Sequence, residues 1–583
     1  MNGFFNRILN IDLDSATAAI EALDDEPCRR YLGAKGLASW LLAERNPAGV
    51  DPLAPDNLLV FATGPVTGTM VWGSSRYGVF TKSPLTGLYA ESYCGGKVPE
   101  AISATGFDAI VIKGRASCLS VMVITDQGAE IHPAPELAGK DTFATEAAVA
   151  EKYIGKTAGG QKAGTVVIGP AAENGVRFGV IKNNGWRVAA RTGTGTVLGS
   201  KNVKAIVFKG GCRRPVHDGQ GLRSLYKQLA AEARDNPIVK AYKSMGTSQM
   251  VNIMNAAGAF PTGYWKRGTC AHKERINTEA LHGRCRVRPH ACAKCYLSCG
   301  RMTTVKTGRH AGLQIEGPEY ETIYAFGGLC MIDSIEEIIH LNHLCDAAGM
   351  DTITTGNLCA FAMEARRLGK SDYPVDFGDA DATAELIRLI ADCRGVGKIL
   401  AGGIRQAAAA WDMQNEAVHV KGLEPAGYDP RVLKGMGLGY ATSGRGACHL
   451  RATFYKPELS GLIAPDKIEG KARLYIDYED RLTIFDTLVL CRFYRDIYTW
   501  QMLGQLVEAA TGIRATEENL RQIAARISSL VRNFNLREGM DAGDETLPAP
   551  FYRPLEDSGA RISKEQFRQL LSDYLALRKW RPA

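Results

Sequence analysis

Short apolar runs, punctuated by turn residues, recur through the first third of the chain. RILNIDL, NLLVFAT, YGVFTK, AIVIKG, VMVITD, TVVIGP and VKAIVFKG are short, rich in Val and Ile, and bounded by Gly, Pro, Asn or Asp. That pattern predicts strands. After Gly210 the pattern changes. GLRSLYKQLAAEARD, SIEEIIHLNHLCDAAG, DATAELIRLIADCRG and ENLRQIAARISSLVRNF carry apolar residues at helical spacing with charged residues opposite, which predicts amphipathic helices. KGLEPAGYDPR, at 421–431, is Gly/Pro punctuation and marks a second boundary. The expected fold class is α+β. A β-rich domain over 1–210 precedes two mainly helical domains, 211–417 and 418–583. No internal repeat or low-complexity tract interrupts this order.

Composition narrows the class. The 583 residues are 45% hydrophobic and 23% charged, which excludes a disordered or collagen-like chain. Lys and Arg number 70 against 62 Asp and Glu, a formal +8. The excess is spread out, with no basic run, so nucleic acid is not an expected partner. An anionic cofactor or an acidic protein fits better. The 15 cysteines are odd in number and lack a regular disulfide spacing, which points to a reducing compartment and to thiolates that bind metal. No signal-like N-terminus and no long apolar run is present, so the expected location is cytoplasmic, without a membrane span.

The sharpest motif is HACAKCYLSCG, with Cys292, Cys295 and Cys299. Three thiolates at C-x2-C-x3-C can wrap one side of a compact centre. A [4Fe–4S] cube needs a fourth from elsewhere. Zinc is the alternative, although its usual second knuckle is missing, and inert buried cysteines are another. Twelve further cysteines leave the fourth ligand open at this level. Arg284, Arg286, Arg288, Lys294 and Arg301 surround the loop and would offset cluster charge or meet an acidic electron-transfer protein.

Other segments suit a ligand that carries both ring N–H donors, which acidic side chains can accept from, and phosphates. Asp346-Ala-Ala-Gly-Met-Asp351 and Asp486-Thr-Leu-Val-Leu-Cys491 each place a ligand-type residue five positions after an Asp, at the end of a helical stretch. Helix-terminal turns are the plain alternative. Gly73-Ser-Ser-Arg76, Cys94-Gly95-Gly96 and the glycine-rich run Arg187-Val188-Ala189-Ala190-Arg191-Thr-Gly193-Thr-Gly195 combine guanidinium groups with turns suited to phosphate. The last is neither a Walker A loop nor a Rossmann fingerprint, and no strand is expected to feed it. Glu321, in EGPEYET, reads by itself as a glutamate of a solvated turn, and His449, between Arg445 and Arg451, as a structural histidine; local sequence marks neither as catalytic.

In order, these segments resemble the tungsten-dependent aldehyde:ferredoxin oxidoreductase family over nearly the whole chain. The likeness runs through YLGAKGLASWLL, DPLAPDNLLVFATGPVTGT, GSSRYGVFTKSPLTGLYAES, RTGTGTVLGSKNVKAI, the cysteine loop, EGPEYET, D-x-x-G-x-D and GYATSGRGACHLR. The resemblance implies a β-rich base domain under two helical domains, with a tungsten bis-pterin (tungstopterin) at their interface and one [4Fe–4S] cluster beside it. It implies Cys292, Cys295, Cys299 and Cys491 as cluster ligands. Arg76, Gly95, Arg187, Val188, Ala190 and Arg191 would line pterin phosphates that also hold Mg2+. Asp346, Met350 and Asp351 would meet one pterin, and Asp486 and Leu490 the other. Arg445 and Arg451 fall on cofactor-contacting positions, and Glu321 and His449 on the acid–base positions. Three residues depart from the family's habit: Val489 replaces a Gly, Tyr93 replaces an Asn, and His340 stands where some members place a Glu that binds a subunit-bridging iron, so that iron is not expected.

The implied activity is oxidation of aldehydes to carboxylic acids, with electrons leaving through the cluster to ferredoxin or a ferredoxin-like subunit. The alternatives are the active-site subunit of a benzoyl-coenzyme A reductase, in which Cys330 could reach the metal, and a non-catalytic iron–sulfur relay subunit. An oligomer is expected.

Overall fold

The short apolar runs of the first third are resolved, in a computed structural model that describes residues 1–155 and 160–582, into two six-stranded sheets. Strands β1 (Arg7–Asp12), β2 (Thr17–Ala22), β3 (Leu59–Ala62), β4 (Tyr77–Lys82), β5 (Tyr89–Cys94) and β6 (Ala109–Lys113) form the first, in the order β2-β1-β6-β3-β4-β5. Strands β7 (Ser120–Thr125), β8 (Gly128–Pro133), β9 (Lys162–Val167), β10 (Ile181–Asn183), β11 (Arg187–Ala189) and β12 (Val203–Gly210) form the second, in the order β11-β10-β9-β12-β7-β8.

Alternation sorts the side chains into layers. Leu9, Ile11, Phe61, Val79, Ile110 and Ile112 of the first sheet share a core with Met122, Ile124, Val166, Ile206 and Phe208 of the second. The opposite face of the first sheet, with Ile8, Val60, Phe80 and Val111, packs on Leu37, Ala38, Leu41 and Leu42 of helix Ala34–Arg45 and on Phe534 of helix Glu517–Arg537. Val121, Val167, Ala205 and Val207 face outward from the second sheet onto Leu137 and Val149. Each large aliphatic group so buried contributes roughly 1.5–3 kcal/mol.

By its internal contacts the chain divides into two compact units. The first comprises Met1–Lys240, Ala291–Leu297 and Asp480–Gly539; the second comprises Ala241–His290, Ser298–Glu479 and Met540–Ala583. The β-rich region is thus N-terminal and the remainder largely helical. The second unit also holds a small antiparallel sheet, β13 (Cys285–His290), β14 (Gly300–Val305) and β15 (Gln314–Glu316). The β13–β14 hairpin brackets residues 291–299, which carry the cysteine motif. Helix Thr352–Arg367 is buried on all sides from Ile353 to Ala365. Its polar residues are satisfied internally: Asn357 donates to the Tyr324 hydroxyl at 3.0 Å and accepts from Trp265 Nε1 at 3.1 Å. Among the described residues no helix is long and apolar enough to cross a membrane.

One buried ion pair ties the chain start to the first sheet. Arg214 Nη1 lies 2.7 Å from Asp108 Oδ1, and Asp108 Oδ2 accepts from the amides of Phe5 and Asn6 at 3.0 and 2.9 Å. Arg214→Met strands that carboxylate without its cation. The expected loss is about 3–5 kcal/mol in denaturant unfolding of the first unit; a change below about 0.5 kcal/mol, the size of an ordinary surface substitution, would show the pair to be incidental.

Candidate functional site

In the first unit the site is built on the β4–β5 hairpin. Tyr77 opposes Cys94, so the turn before β4 and the turn after β5 lie side by side. The first turn delivers Arg76 and the second Gly95 and Gly96. Arg76 Nη2 donates to the Tyr93 carbonyl at 3.3 Å, and Nη1 lies 4.0 Å from Cys491 Sγ. Burial opposes the Arg76 charge, but the charge interactions with Cys491, Cys292, Cys94 and the Asp486 carboxylate outweigh it and raise its pKa. A half-buried guanidinium beside these sulfurs suits thiolates better than thiols.

The cysteines are held by backbone. The Cys491 amide donates to the Gly73 carbonyl at 2.9 Å, and the Ala293 amide donates to the Gly96 carbonyl at 3.1 Å. A Cβ on Gly95 would stand 2.8 Å from Cys292 Sγ, so the approach requires a bare Cα. The Tyr494 hydroxyl accepts from the Tyr296 amide at 2.9 Å and lies 3.5 Å from Cys295 Sγ. Cys292, Cys295 and Cys491 therefore all belong to one unit, with Cys292 and Cys491 facing Arg76 and Cys295 beside Tyr494. Cys299 belongs to the second unit, immediately before β14. Among the described residues no three His, Cys, Asp or Glu side chains converge tightly enough to grip a single ion.

Asp486 lies in the last turn of helix Lys471–Leu488, with its carboxylate paired to Arg492 and 3.8 Å from Lys35 Nζ. Lys35 also pairs with Glu91 at 3.1 Å, and Glu91 accepts from the Tyr93 hydroxyl at 2.6 Å. Leu490, whose amide donates to the Phe485 carbonyl at 2.7 Å, closes the turn toward Cys491. Lys35, Glu91, Arg492 and Tyr494 were not singled out from the sequence. No local spacing marks them, because their partners lie on remote segments.

The glycine-rich run corrects the sequence reading. A three-residue strand, β11, does feed it: Arg187, Val188 and Ala189 pair with Asn183, Lys182 and Ile181. Ala190 and Arg191 then turn into helix Thr194–Ser200. Gly193, at φ +75°, and Gly195 are required by packing, because a Cβ would collide with the carbonyls of Arg177 and Val180. Arg191 is buried, and Arg187 lies against Gly96, beside the Cys94–Gly96 turn.

In the second unit, Glu321 occupies the short helix Tyr320–Thr322, and His449 the loop after helix Lys434–Thr442. His449 Nε2 is 3.5 Å from Glu321 Oε1, while Glu321 Oε2 accepts from the Gly427 amide at 3.0 Å. The Tyr428 ring stacks near His449 at 5.6 Å and on Tyr455 at 4.3 Å. Arg445 and Arg451 are both buried in that loop. Arg445 Nη2 lies 2.9 Å from Cys448 Sγ. Gly446, at φ +98°, seats the loop on Leu423, which a Cβ would meet at 2.7 Å.

Asp346 sits in the last turn of helix Ile335–Ala348, accepting from Asn342 Nδ2 at 2.7 Å, and Gly349 ends that helix at φ +77°. Met350 is buried at the joint. Asp351 begins the next helix rather than ending one. It caps Thr352–Arg367, accepting from the amides of Ile353 and Thr354 at 3.2 and 3.3 Å. Cys330 is fully buried and lies 3.3 Å from the Gly356 carbonyl; burial pushes its thiol pKa up, so it is a neutral core thiol.

Asp351→Ala removes that cap and is expected to cost about 1–2 kcal/mol in denaturant unfolding. Asp351→Asn keeps the acceptor and should cost less than about 0.5 kcal/mol. Equal losses in the two variants would contradict the capping role.

The comparisons with known proteins agree in direction. Residues 8–210 match the family model described as the aldehyde ferredoxin oxidoreductase N-terminal domain, and residues 224–583 match that of its domains 2 and 3. The tungsten-containing aldehyde ferredoxin oxidoreductase of Pyrococcus furiosus is 34% identical over 594 residues, spanning 100% of this chain and 97% of that protein. Its counterpart in Thermococcus kodakarensis is also 34% identical, with the same coverage. The active site complex BamBC of benzoyl coenzyme A reductase, solved with 1,5-dienoyl-CoA, is similar in fold, with a TM-score of 0.84 at 22% identity, covering 100% of this chain and 95% of that one. The chain belongs to the aldehyde ferredoxin oxidoreductase family and is an oxidoreductase.

Proposed function

We infer that this enzyme oxidises aldehydes to carboxylic acids, with water supplying the oxygen and two protons and two electrons leaving. The observation that carries the reading is the Glu321–His449 pair. A carboxylate oxygen lies 3.5 Å from an imidazole nitrogen, and its other oxygen is pinned by a backbone amide. The two side chains keep 18% and 12% exposure, while Glu321 Oε1, the oxygen that faces His449, is buried. Such a pair can take a proton at one atom and hold it at the next. The Tyr428 ring, stacked on Tyr455, lies beside His449 and would offer an apolar surface to the body of an aldehyde.

The donors suit the family's cofactors. Cys292, Cys295 and Cys491, with Cys299 as the remaining thiol of the motif, would hold a [4Fe–4S] cluster. The bare Cα of Gly95 leaves room for Cys292, and Arg76 offsets anionic sulfur. Arg76, Gly95, Arg187, Val188, Ala190 and Arg191 would carry the pterin phosphates and their Mg2+. Asp346, Met350 and Asp351 in the second unit, and Asp486 and Leu490 in the first, would orient the pterin rings, with Arg445 and Arg451 offsetting charge. When bound, a tungsten bis-pterin supplies a Lewis acid and a two-electron acceptor, and the cluster a one-electron outlet to ferredoxin or a ferredoxin-like subunit. The benzoyl-coenzyme A reductase reading gains nothing from Cys330, which is committed to the core.

Glu321→Gln and His449→Ala are each expected to lower aldehyde-dependent reduction of benzyl viologen by about 10²–10⁴-fold, with tungsten and iron content unchanged. Full turnover in either variant removes that residue from the chemistry. Fully metal-loaded protein that reduces no dye with short aliphatic or aromatic aldehydes would overturn the activity itself.

A further inference from the structure

Tyr494 ends the short helix Arg492–Tyr494, just after Cys491, and its ring is buried within the first unit. Its hydroxyl accepts from the amides of Tyr296 and Leu297 at 2.9 and 3.4 Å and donates to Cys295 Sγ at 3.5 Å. A phenol oxygen carries two lone pairs and one proton. The two amides occupy the lone pairs, so the proton is left for the sulfur. A phenol titrates at about 10, and it therefore remains a donor throughout the neutral range.

The ring behind that hydroxyl is held on several sides. The Tyr494 amide donates to the Cys491 carbonyl at 3.0 Å, which ties it to a second candidate ligand. A Cβ on Gly73 would stand 2.8 Å from Tyr494 Cδ2, so the bare Cα of Gly73 admits the ring as that of Gly95 admits Cys292. The rings of Trp72 and Tyr498 flank it at 6.4 and 6.1 Å, and the Tyr498 hydroxyl donates to the Trp72 carbonyl at 3.0 Å. Trp72 also stacks on Tyr296 at 4.7 Å. Clamping the loop would need only an acceptor for its amides. The proton aimed at Cys295 is an additional feature. Arg76 faces Cys292 and Cys491, so a cation serves those two sulfurs and a neutral donor serves Cys295.

We propose that Tyr494 sets the reduction potential of the cluster, its O–H drawing charge from Cys295 Sγ and so favouring the reduced state. The proposal rests on the reading of Cys295 and its companions as cluster ligands. One-electron reduction adds one negative charge to the cluster and its thiolates, and hydrogen bonds to the sulfurs are among the groups that set its potential. A donor bonds the more negative sulfur more strongly, which raises that potential. The proton stays on the phenol oxygen in both states. Tyr494 acts through Cys295, as a positioning residue, and makes the cluster a stronger acceptor for each of the two electrons an aldehyde gives up.

The test titrates the holoenzyme with dithionite and mediator dyes and reads the reduced cluster by electron paramagnetic resonance. At the potential where half of the wild-type clusters are reduced, the reduced-to-oxidised ratio in Tyr494→Phe should be about tenfold lower, a shift of about 59 mV for one electron. The opposite change uses 3-fluorotyrosine at position 494, whose more acidic hydroxyl is a stronger donor; its ratio should rise above wild type. A Tyr494→Phe ratio equal to wild type overturns the proposal, as does a fluorinated protein that matches wild type or shifts in the same direction as the phenylalanine variant. Should Tyr494→Phe fail to load iron, the fluorinated protein decides alone, by a rise or its absence. Wild-type protein without iron or a paramagnetic signal would overturn the ligand reading instead, a result distinct from a cluster whose potential ignores position 494.

Discussion

A half-buried guanidinium set among cysteines and a carboxylate is the constraint on which the rest depends. Withdrawing the half-buried Arg76 guanidinium from water costs free energy unless anions compensate it, and the groups facing it are Cys491, Cys292, Cys94 and the Asp486 carboxylate. The surrounding backbone is arranged to keep them there. Gly73 receives the Cys491 amide, Gly96 receives the Ala293 amide, and Gly95 gives up its side chain to admit Cys292. Binding and folding are thereby coupled, because the same contacts that place the thiols also close the β4–β5 hairpin turns.

What the sequence displayed, and what it hid, follows from local against remote contacts. Tyr77–Lys82 and Val203–Gly210 were legible as strands to the residue, because each is a short run rich in β-branched and aromatic residues. Thr17–Ala22 escaped notice because it is a largely exposed edge with no apolar face. Arg187–Ala189 is too short for a periodic signal. Helix Thr352–Arg367 was invisible for the opposite reason: both its faces are buried, so no polar stripe marks it. At the site, Cys292 and Cys295 stand out through type and spacing, whereas Glu321 and His449 carry no local signal and are singled out only by the family resemblance. The Lys35–Glu91–Tyr93 chain leading to Asp486 was legible by neither route, since its members meet only in three dimensions.

The departures from the family's habits also acquire physical content. Val489 takes φ +51°, a left-handed backbone that a β-branched residue resists, and it is buried against Gly64, which has no side chain to obstruct it. Packing of the valine offsets the strain that a glycine would avoid. Tyr93, where an Asn is common, donates to Glu91 and lies under the Arg492 guanidinium at 5.6 Å, tying it to both cations around Asp486. His340 stacks on His310 at 4.3 Å, and burial, with His310 next, pushes it down to about 4. It is a neutral ring at physiological pH.

The central claim is that this chain cradles a pterin-bound heavy metal and a four-iron cluster. Elemental analysis of native protein prepared without oxygen, joined to electron paramagnetic resonance after reduction, addresses it most directly. The account predicts about one tungsten and about four irons per chain, with a cluster signal that appears on reduction. Protein of native fold that carries neither tungsten nor molybdenum, and gives no paramagnetic signal, would contradict it.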